Sequence, residues 1–303
     1  MRFPRLLVPG VAVLLLAVVA GGVSPQKKPG PMSAQQPTQA RQNYRPAPRS
    51  QMIFHSRGST PQVDLRPEIA RLALAIRDQG NRGTCSVFAT TFLIEYHEAR
   101  TRNQNGLQLS EEYLNWAKNA ANKTDFDGGM FTDIIAGYQG YGMVPSTDMP
   151  YKPVFHPKEK PSKSVIATGK SFDHFPVTFI KNWDHDHGMT AAELEKTKNQ
   201  LRHGHPVATG IWWLANVETV TVDGVPLLKE YPRKANTGSN PPMFDGHSID
   251  LVGFHEGSQF PGGGYFIFRN SMGTGWGDGG YGYLSFQYVR DYSNDAIAIE
   301  QKE

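Results

Sequence analysis

The apolar residues that follow Cys85 recur with the spacing of an α-helix. Three aromatic side chains stand four residues apart in this stretch, namely Phe88, Phe92 and Tyr96. That spacing places them on one face and predicts a helix that begins at Cys85 and buries the face in a core. A second helix is predicted further along the chain, where Ser110 stands in the position of an N-cap.

A third helix is predicted from Thr190 to His203, because Thr190 and Glu193 form the pattern of a capping box. Beyond residue 205 the pattern changes to short apolar runs between glycine and proline turns, which predicts strands. The clearest runs cover residues 207–213, 248–254 and 264–269. A helical first half and a β-rich second half together predict the α+β fold class.

The composition is that of a globular protein. Of the 303 residues, 39% are hydrophobic and 19% are charged, which excludes a disordered polymer for most of the chain. The 31 Gly and 22 Pro argue against a helical bundle, because both residues break helix interiors. Residues 1–63 hold eight basic and no acidic side chains, which leaves 23 basic against 28 acidic ones in residues 64–303. We therefore expect no nucleic-acid partner.

The N-terminal region carries the pattern of a secretory signal peptide. Basic residues precede an apolar run that is unbroken from 11 to 20 and ends in small residues, so we place the signal peptide at 1–24. We expect a secreted or periplasmic protein that contacts a membrane only if this segment stays uncleaved. Residues 25–61, rich in Pro, Gln and Arg, are predicted to be a disordered linker. The folded domain is then 62–303.

Cys85 is the one cysteine of the chain, so it forms no internal disulfide. It follows a glycine-containing loop and stands at the predicted start of a helix, where unpaired N–H groups and the helix dipole stabilise a thiolate. Two later residues are candidates to work with it: His247 at the entry of a predicted strand, and Asn270 at the end of the next. Taken singly, each of the three fits a structural role equally well.

Together, the three segments resemble the papain family of cysteine peptidases in motif and in order. They read Gln79-Gly-x-x-Gly-x-Cys85, Gly246-His247-Ser-Ile and Asn270-Ser-x-Gly-Thr-Gly-Trp276-Gly. In that family the His and Asn follow the Cys by roughly 130–150 residues, and here the intervals are longer. The excess predicts insertions within 152–190 and 216–242. The resemblance implies a two-lobed fold, with a helical left lobe, a β-barrel-like right lobe and the active cleft between them.

The resemblance also implies a role for each residue of the catalytic motifs. Cys85 is then the nucleophile, His247 its acid–base partner and Asn270 the residue that orients the imidazole. Gln79 and the backbone N–H of Cys85 are the implied oxyanion donors. The implied reaction is the hydrolysis of peptide bonds through a thioester acyl-enzyme, with a peptide or protein substrate and with neither cofactor nor metal. We expect a monomer.

Four further residues are implied to line the substrate cleft. Gly128 and Gly129 resemble the glycine pair that backs the substrate strand, while Met272 and Trp276 belong to the wall beside the asparagine. Met272 stands where the family usually has a tryptophan. The aromatic ring at this position covers the hydrogen bond between asparagine and histidine, so a flexible methionine is expected to shield it less.

The chain departs from the family pattern in other places. Arg82 stands where a disulfide-forming cysteine is usual, Ser86 stands where a tryptophan is usual, and the residues before 62 do not resemble a helical inhibitory propeptide. Two alternatives to peptide hydrolysis stay open. One is a catalytically weak papain-like protein that binds peptides or acts as an inhibitor, and the other is amide or acyl transfer to an amine instead of water.

Overall fold

Residues 53–58, 60–237 and 241–301 are described by the computed structural model. The expected signal peptide 1–24 and most of the expected linker 25–61 lie outside them. Helices from the first half of the chain pack beside a large sheet built mainly by the second half, which confirms the α+β class.

Seven α-helices lie within the described residues. They are α1 (Arg66–Arg71), α2 (Cys85–Arg102), α3 (Glu111–Asn122), α4 (Phe131–Tyr141), α5 (Lys163–Lys170), α6 (Ala191–Arg202) and α7 (Phe286–Tyr292). Short 3-10 helices cover Arg233–Asn236 and Pro261–Gly263.

The helices begin where the sequence predicts. Helix α2 starts at Cys85, and the Ser110 hydroxyl caps α3 by accepting the N–H of Tyr113. Thr190 and Glu193 form both bonds of a capping box at the start of α6.

Nine strands form one sheet in the part of the chain that the structure describes. They are β1 (Val63–Asp64), β2 (Val177–Lys181), β3 (Val207–Leu214), β4 (Thr219–Val222), β5 (Val225–Leu228), β6 (Met243–Glu256), β7 (Gly264–Arg269), β8 (Tyr281–Ser285) and β9 (Ser293–Ile299). The order is β2-β9-β3-β6-β7-β8-β5-β4, with β1 paired to β6, and β5 alone runs parallel to its neighbour β8.

The sheet does not close into the barrel-like lobe that the resemblance implies. Its outer strands, β2 and β4, are not paired with each other within the described residues. The two edges end in different elements. Helix α6 packs against β2, while β4 is the outermost strand at the other edge and is joined to β5 by a tight turn at Asp223 and Gly224, both with positive φ. The two expected insertions contribute to these edges, since they contain α5, β2 and the β4–β5 hairpin.

Helix α2 is the buried axis of the molecule. It contacts α3 and α4 on one side and β6 on the other, and its residues from Cys85 to Ala99 are all buried. The aromatic face predicted from the sequence packs in this core, with Phe92 and Tyr96 at most 2% exposed. The helix therefore fixes its first residue, Cys85, against the sheet.

The described chain also begins with packed residues. Phe54 lies against the ring of Trp276 with 5.9 Å between the ring centroids, and the N–H of Phe54 donates to the carbonyl oxygen of Gly277. The end of the segment expected to be a linker thus contacts the second half of the chain. None of the described helices is long and apolar enough to span a membrane.

Candidate functional site

Cys85 faces the strand that carries His247. Its Sγ lies 3.7 Å from the carbonyl oxygen of Gly246 in β6, and the N–H and hydroxyl of Ser248 hydrogen bond to the sulfur. The backbone N–H groups of Cys85 and Ser86 approach the sulfur as well. A negative charge on the sulfur would therefore be stabilised by donors from both the helix N-terminus and the strand.

A β-bulge lies directly before His247 in strand β6. Residue Ile211 of β3 pairs with His247, and the next residue, Trp212, pairs with Asp245, so Gly246 has no partner in the ladder. Gly246 has a φ of 128°, in the region that favours glycine. Bulges of this kind change the direction of a neighbouring side chain, and here the affected residue is the candidate acid–base group.

The imidazole of His247 is oriented by Asn270. The Nε2 atom of His247 lies 2.9 Å from Oδ1 of Asn270, and both residues are buried. The same Oδ1 accepts the backbone N–H of Ser271 at 2.9 Å. Because that atom accepts, it is the amide oxygen, and Nε2 of His247 must be the donor. The lone pair of the neutral imidazole is then on Nδ1, which is the tautomer that can accept a proton from a thiol.

Trp213 packs against the imidazole of His247, and Trp276 packs against Trp213. The ring centroid of Trp213 is 4.5 Å from that of His247, and Trp276 lies 6.0 Å behind Trp213. Trp213 and Trp276 are 1% and 3% exposed. Met272 is half-buried against the same apolar cluster, and its backbone bridges to Asp78. The aromatic ring that covers the imidazole therefore belongs to Trp213 of strand β3. The sequence analysis does not single out this residue.

Burial shifts both titrating groups toward their neutral forms. Burial raises the pKa of the Cys85 thiol, although the hydrogen bonds from Ser248 oppose the rise. Burial also lowers the pKa of His247 to about 4, although the bond to Asn270 opposes the fall. At neutral pH burial therefore favours the neutral thiol and the neutral imidazole. A neutral imidazole of this tautomer keeps a lone pair on Nδ1 that can accept a proton.

Gln79 is fixed beside the asparagine segment. Its backbone N–H donates to the carbonyl oxygen of Ser271, and its Oε1 accepts the hydroxyl of Ser271 at 2.5 Å. Its Nε2 donates to the carbonyl oxygen of Arg82 at 2.8 Å. The loop 79–84 therefore curls back on itself directly before the thiol, with the amide of Gln79 held in one orientation.

Gly128 and Gly129 lie on the other side of the loop. A Cβ atom on Gly128 would come within 2.1 Å of the carbonyl oxygen of Gly83, and its φ is 62°, so only glycine fits here. Gly129 is exposed, whereas Gly128 is buried. Gly129 therefore presents exposed backbone next to the loop 79–84, which an extended peptide could use for hydrogen bonds.

The structure thus gathers the sequence candidates around the start of α2. His247 contacts Asn270, and Gln79 contacts Ser271, the residue after Asn270. Cys85 contacts Gly246 and Ser248, on either side of His247, and Gly128 lies against Gly83 of the loop before the thiol. Met272 follows Asn270 by two residues in the chain. The ring of Trp276 packs against that of Trp213. The described residues contain no group of three His, Cys, Asp or Glu side chains arranged to hold a metal ion.

A family model described as papain family cysteine protease matches residues 60–301. A relative from Acanthamoeba polyphaga mimivirus, named "Uncharacterized peptidase C1-like protein L477", is 25% identical over 72% of this chain and 67% of its own length. Cathepsin B-like CP1 of Giardia intestinalis is 24% identical over 79% of this chain and 71% of its own length.

A solved structure shares the fold. Xylellain, a cysteine protease from Xylella fastidiosa, superimposes with a TM-score of 0.60 at 19% identity, over 82% of this chain and 92% of that chain.

Proposed function

The chain belongs to the papain family of cysteine proteases, and we propose that Cys85, His247 and Asn270 form its catalytic triad. The family and its cathepsin-type members make the protein a cysteine-type peptidase. The observation that supports the triad is the 2.9 Å bond between His247 and Asn270. In strand β6, Gly246, the residue before His247, contacts the sulfur of Cys85. A binding protein would need no imidazole oriented in this way.

The proposed reaction has two halves. The sulfur of Cys85 attacks the carbonyl carbon of the scissile bond while Nδ1 of His247 takes the thiol proton. The tetrahedral intermediate collapses, the C–N bond breaks, and the imidazolium gives its proton to the departing amine, which leaves a thioester on Cys85. A water molecule then gives a proton to His247 and attacks the thioester. The acid product leaves, and the thiol regains its proton.

Asn270 holds the imidazole for both halves. Its Oδ1 stabilises the imidazolium that forms in each transition state, because the bond to Nε2–H becomes charge-assisted when Nδ1 is protonated. The buried position of this bond strengthens it further, since the local dielectric is low. The side chain of Gln79 and the backbone N–H of Cys85 are proposed to stabilise the oxyanion, where losing one donor typically costs about 100-fold or more in rate.

We propose a peptide or a protein as the substrate. An extended chain would pair with the open backbone at Gly129 and lie across the loop 79–84, with Met272 and Trp276 at the wall on the other side. The signal-peptide pattern supports export to the periplasm or the exterior, where such a peptidase would act as a monomer.

Covalent labelling tests the proposal. A peptidyl epoxide reacts with a peptidase thiol that has both a base and a substrate cleft beside it. We expect one equivalent of label on the tryptic peptide that contains Cys85, and none on the Cys85→Ala variant. His247→Ala should keep the thiol but lose most of the labelling rate. A wild-type protein that binds peptide without reacting would support the peptide-binding alternative, and transfer of the acyl group to an added amine in preference to water would support acyl transfer.

A further inference from the structure

The loop 79–84, called the thiol loop below, is closed at both ends by one hydroxyl group. The Tyr151 hydroxyl donates to the carbonyl oxygen of Gln79 at 2.8 Å, and it lies 2.7 Å from Oγ1 of Thr84, which donates to it in turn. Thr84 is the N-cap of α2, yet its hydroxyl makes no cap bond. The Thr84 hydroxyl is therefore bonded to Tyr151 and does not cap the helix.

Arg82 lies in the middle of the same loop and is buried, with 4% of its surface exposed. Its Nη2 and Nε donate to the two carboxylate oxygens of Asp127 at 2.7 and 3.0 Å. Its Nη1 donates to Glu112 of α3 and to the carbonyl oxygen of Lys152. A guanidinium held by two carboxylates is fixed in both position and orientation.

Arg82 and Tyr151 also contact each other. The guanidinium carbon lies 4.6 Å from the centre of the Tyr151 ring, and the ring of Phe88 in α2 meets the Tyr151 ring edge-on, with 4.9 Å between centroids. The ring is therefore held by the arginine and by the helix that carries the thiol. A cation over an aromatic face adds to the ion pairs in a buried setting.

The cluster extends to the glycine pair. Asp127 directly precedes Gly128 in the chain. Asn115 donates to Oδ1 of Asp127 at 3.0 Å and accepts the backbone N–H of Gly128 at 3.0 Å. Gly128 in turn lies against Gly83 of the thiol loop. The same side chains thus set the spacing between the thiol loop and the substrate-binding backbone.

We propose that Tyr151 and Arg82 are positioning residues that hold the oxyanion donors of this peptidase in place. The inference rests on the proposed function, because the donors concerned are the Gln79 amide and the backbone N–H of Cys85. Tyr151 bonds the backbone carbonyl of Gln79, whose side chain is one donor, and the side chain of Thr84, the residue before the other donor. Oxyanion stabilisation requires donors within about 2.7–3.1 Å of the developing charge, and a displacement near 1 Å can cost about 100-fold in rate.

The Tyr151→Phe variant tests this most sharply. It removes the hydroxyl and keeps the ring that packs on Arg82 and Phe88. Its matched control is Tyr113→Phe, since the Tyr113 hydroxyl also donates to a backbone carbonyl, that of Tyr141 at 2.9 Å, in a buried setting away from the thiol. Three quantities are compared: kcat/KM for a peptide, the inhibition constant of a peptide aldehyde, and the rate of Cys85 alkylation by iodoacetamide.

These readouts separate oxyanion positioning from general damage. Peptide hydrolysis and aldehyde binding both create an oxyanion on the carbonyl carbon, whereas alkylation displaces iodide and creates none. We expect Tyr151→Phe to lower kcat/KM and aldehyde affinity by about tenfold or more, with alkylation changed less than twofold. Tyr113→Phe should leave all three within twofold and lose a similar amount of thermal stability.

Two results would overturn the proposal: equal kcat/KM in the two variants, or an alkylation rate that falls in parallel with kcat/KM. Asp127→Asn gives a second test, because it keeps the shape of the side chain but removes the charge that holds Arg82. It should repeat the tenfold loss in aldehyde affinity without slowing alkylation, and unchanged aldehyde affinity would count against the role of Arg82. A wild-type protein that hydrolyses no peptide would instead contradict the proposed function itself.

Discussion

Trp213 covers the imidazole of His247, with 4.5 Å between the ring centroids and a 58° angle between the planes. The tryptophan belongs to β3, and the histidine belongs to the neighbouring strand β6. Because water is excluded on this side, the hydrogen bond from His247 to Asn270 acts in a low dielectric, where it orients the ring more firmly.

The packing of Trp213 over the imidazole should support catalysis. Trp213→Phe removes part of the indole and should lower kcat/KM by about three- to tenfold, near the net worth of one hydrogen bond. Met272→Leu is the comparison, because Met272 is only half-buried and Trp213 already covers the ring; it should change kcat/KM less than twofold. A larger loss of kcat/KM in Met272→Leu than in Trp213→Phe would show that Met272, and not Trp213, shields the hydrogen bond.

The pH dependence of kcat/KM is expected to be a broad bell. Below about pH 4, His247 is protonated in the folded protein and cannot accept the thiol proton, so the rate falls as the pH falls. The basic limb should lie above the ordinary thiol pKa, because burial raises the pKa of Cys85. The two limbs belong to the coupled pair of groups. A pH–rate profile measures both, and an acidic limb near 6.5 would contradict the burial argument.

Stability should fall in acid because of a second buried histidine. His97 lies in the middle of α2 beside His205 and Arg100, and burial, reinforced by these two groups, lowers its pKa to about 3. The unfolded chain binds a proton near pH 6.5 that the folded chain does not. The stabilising contribution of the neutral His97 is therefore fully present above about pH 6.5. The free energy of unfolding then falls by up to about 1.4 kcal/mol per pH unit as the pH drops toward 3.

Urea unfolding at pH 7 and pH 4.5 measures this loss. His97→Phe should reduce the difference between the two values, since a phenyl ring suits the aromatic surroundings and takes up no proton. His187→Gln is the control, because His187 is exposed in a loop and the change should leave the difference as it is. An undiminished difference in His97→Phe would assign the acid sensitivity to other groups, such as His247.

The N-terminal contact gives a second stability test. Phe54 packs edge-on against Trp276, so Phe54→Ala should lower the free energy of unfolding by about 2 kcal/mol, less than for a fully buried ring. The neighbour Ile53 is 66% exposed, and Ile53→Ala should have almost no effect. Equal midpoints of urea unfolding for Phe54→Ala and wild type would show that residues before 60 do not support the fold.

The sequence predicts the parts of the site that local patterns encode. The helix at Cys85 follows from the spacing of its aromatic residues, and the caps at Ser110 and Thr190 follow from side chains within three residues of the helix start. The family resemblance brings the three catalytic candidates into one interpretation. Their surroundings depend instead on contacts between distant segments, which an alternation of apolar residues does not specify.

Trp213 and Tyr151 illustrate this limit. Trp213 reads as an ordinary strand residue until the register of β3 on β6 places it beside His247. Tyr151 stands next to a segment expected to be an insertion, 66 residues after Cys85, and only the folded chain brings its hydroxyl to Gln79. The barrel-like lobe that the resemblance implies differs from the open sheet for the same reason. The sequence predicts the strand runs, but no single run encodes whether the edge strands of the sheet pair with each other.

Peptide hydrolysis by Cys85→Ala decides whether Cys85 is the nucleophile. The variant removes the one thiol of the chain from a site that supports no disulfide, so it should fold and unfold like the wild type, as circular dichroism in urea can verify. We expect the wild type to hydrolyse a fluorogenic peptide and the variant to show no turnover above the uncatalysed rate, which is the result required if Cys85 is the nucleophile. Hydrolysis by Cys85→Ala at a rate near that of the wild type would contradict it.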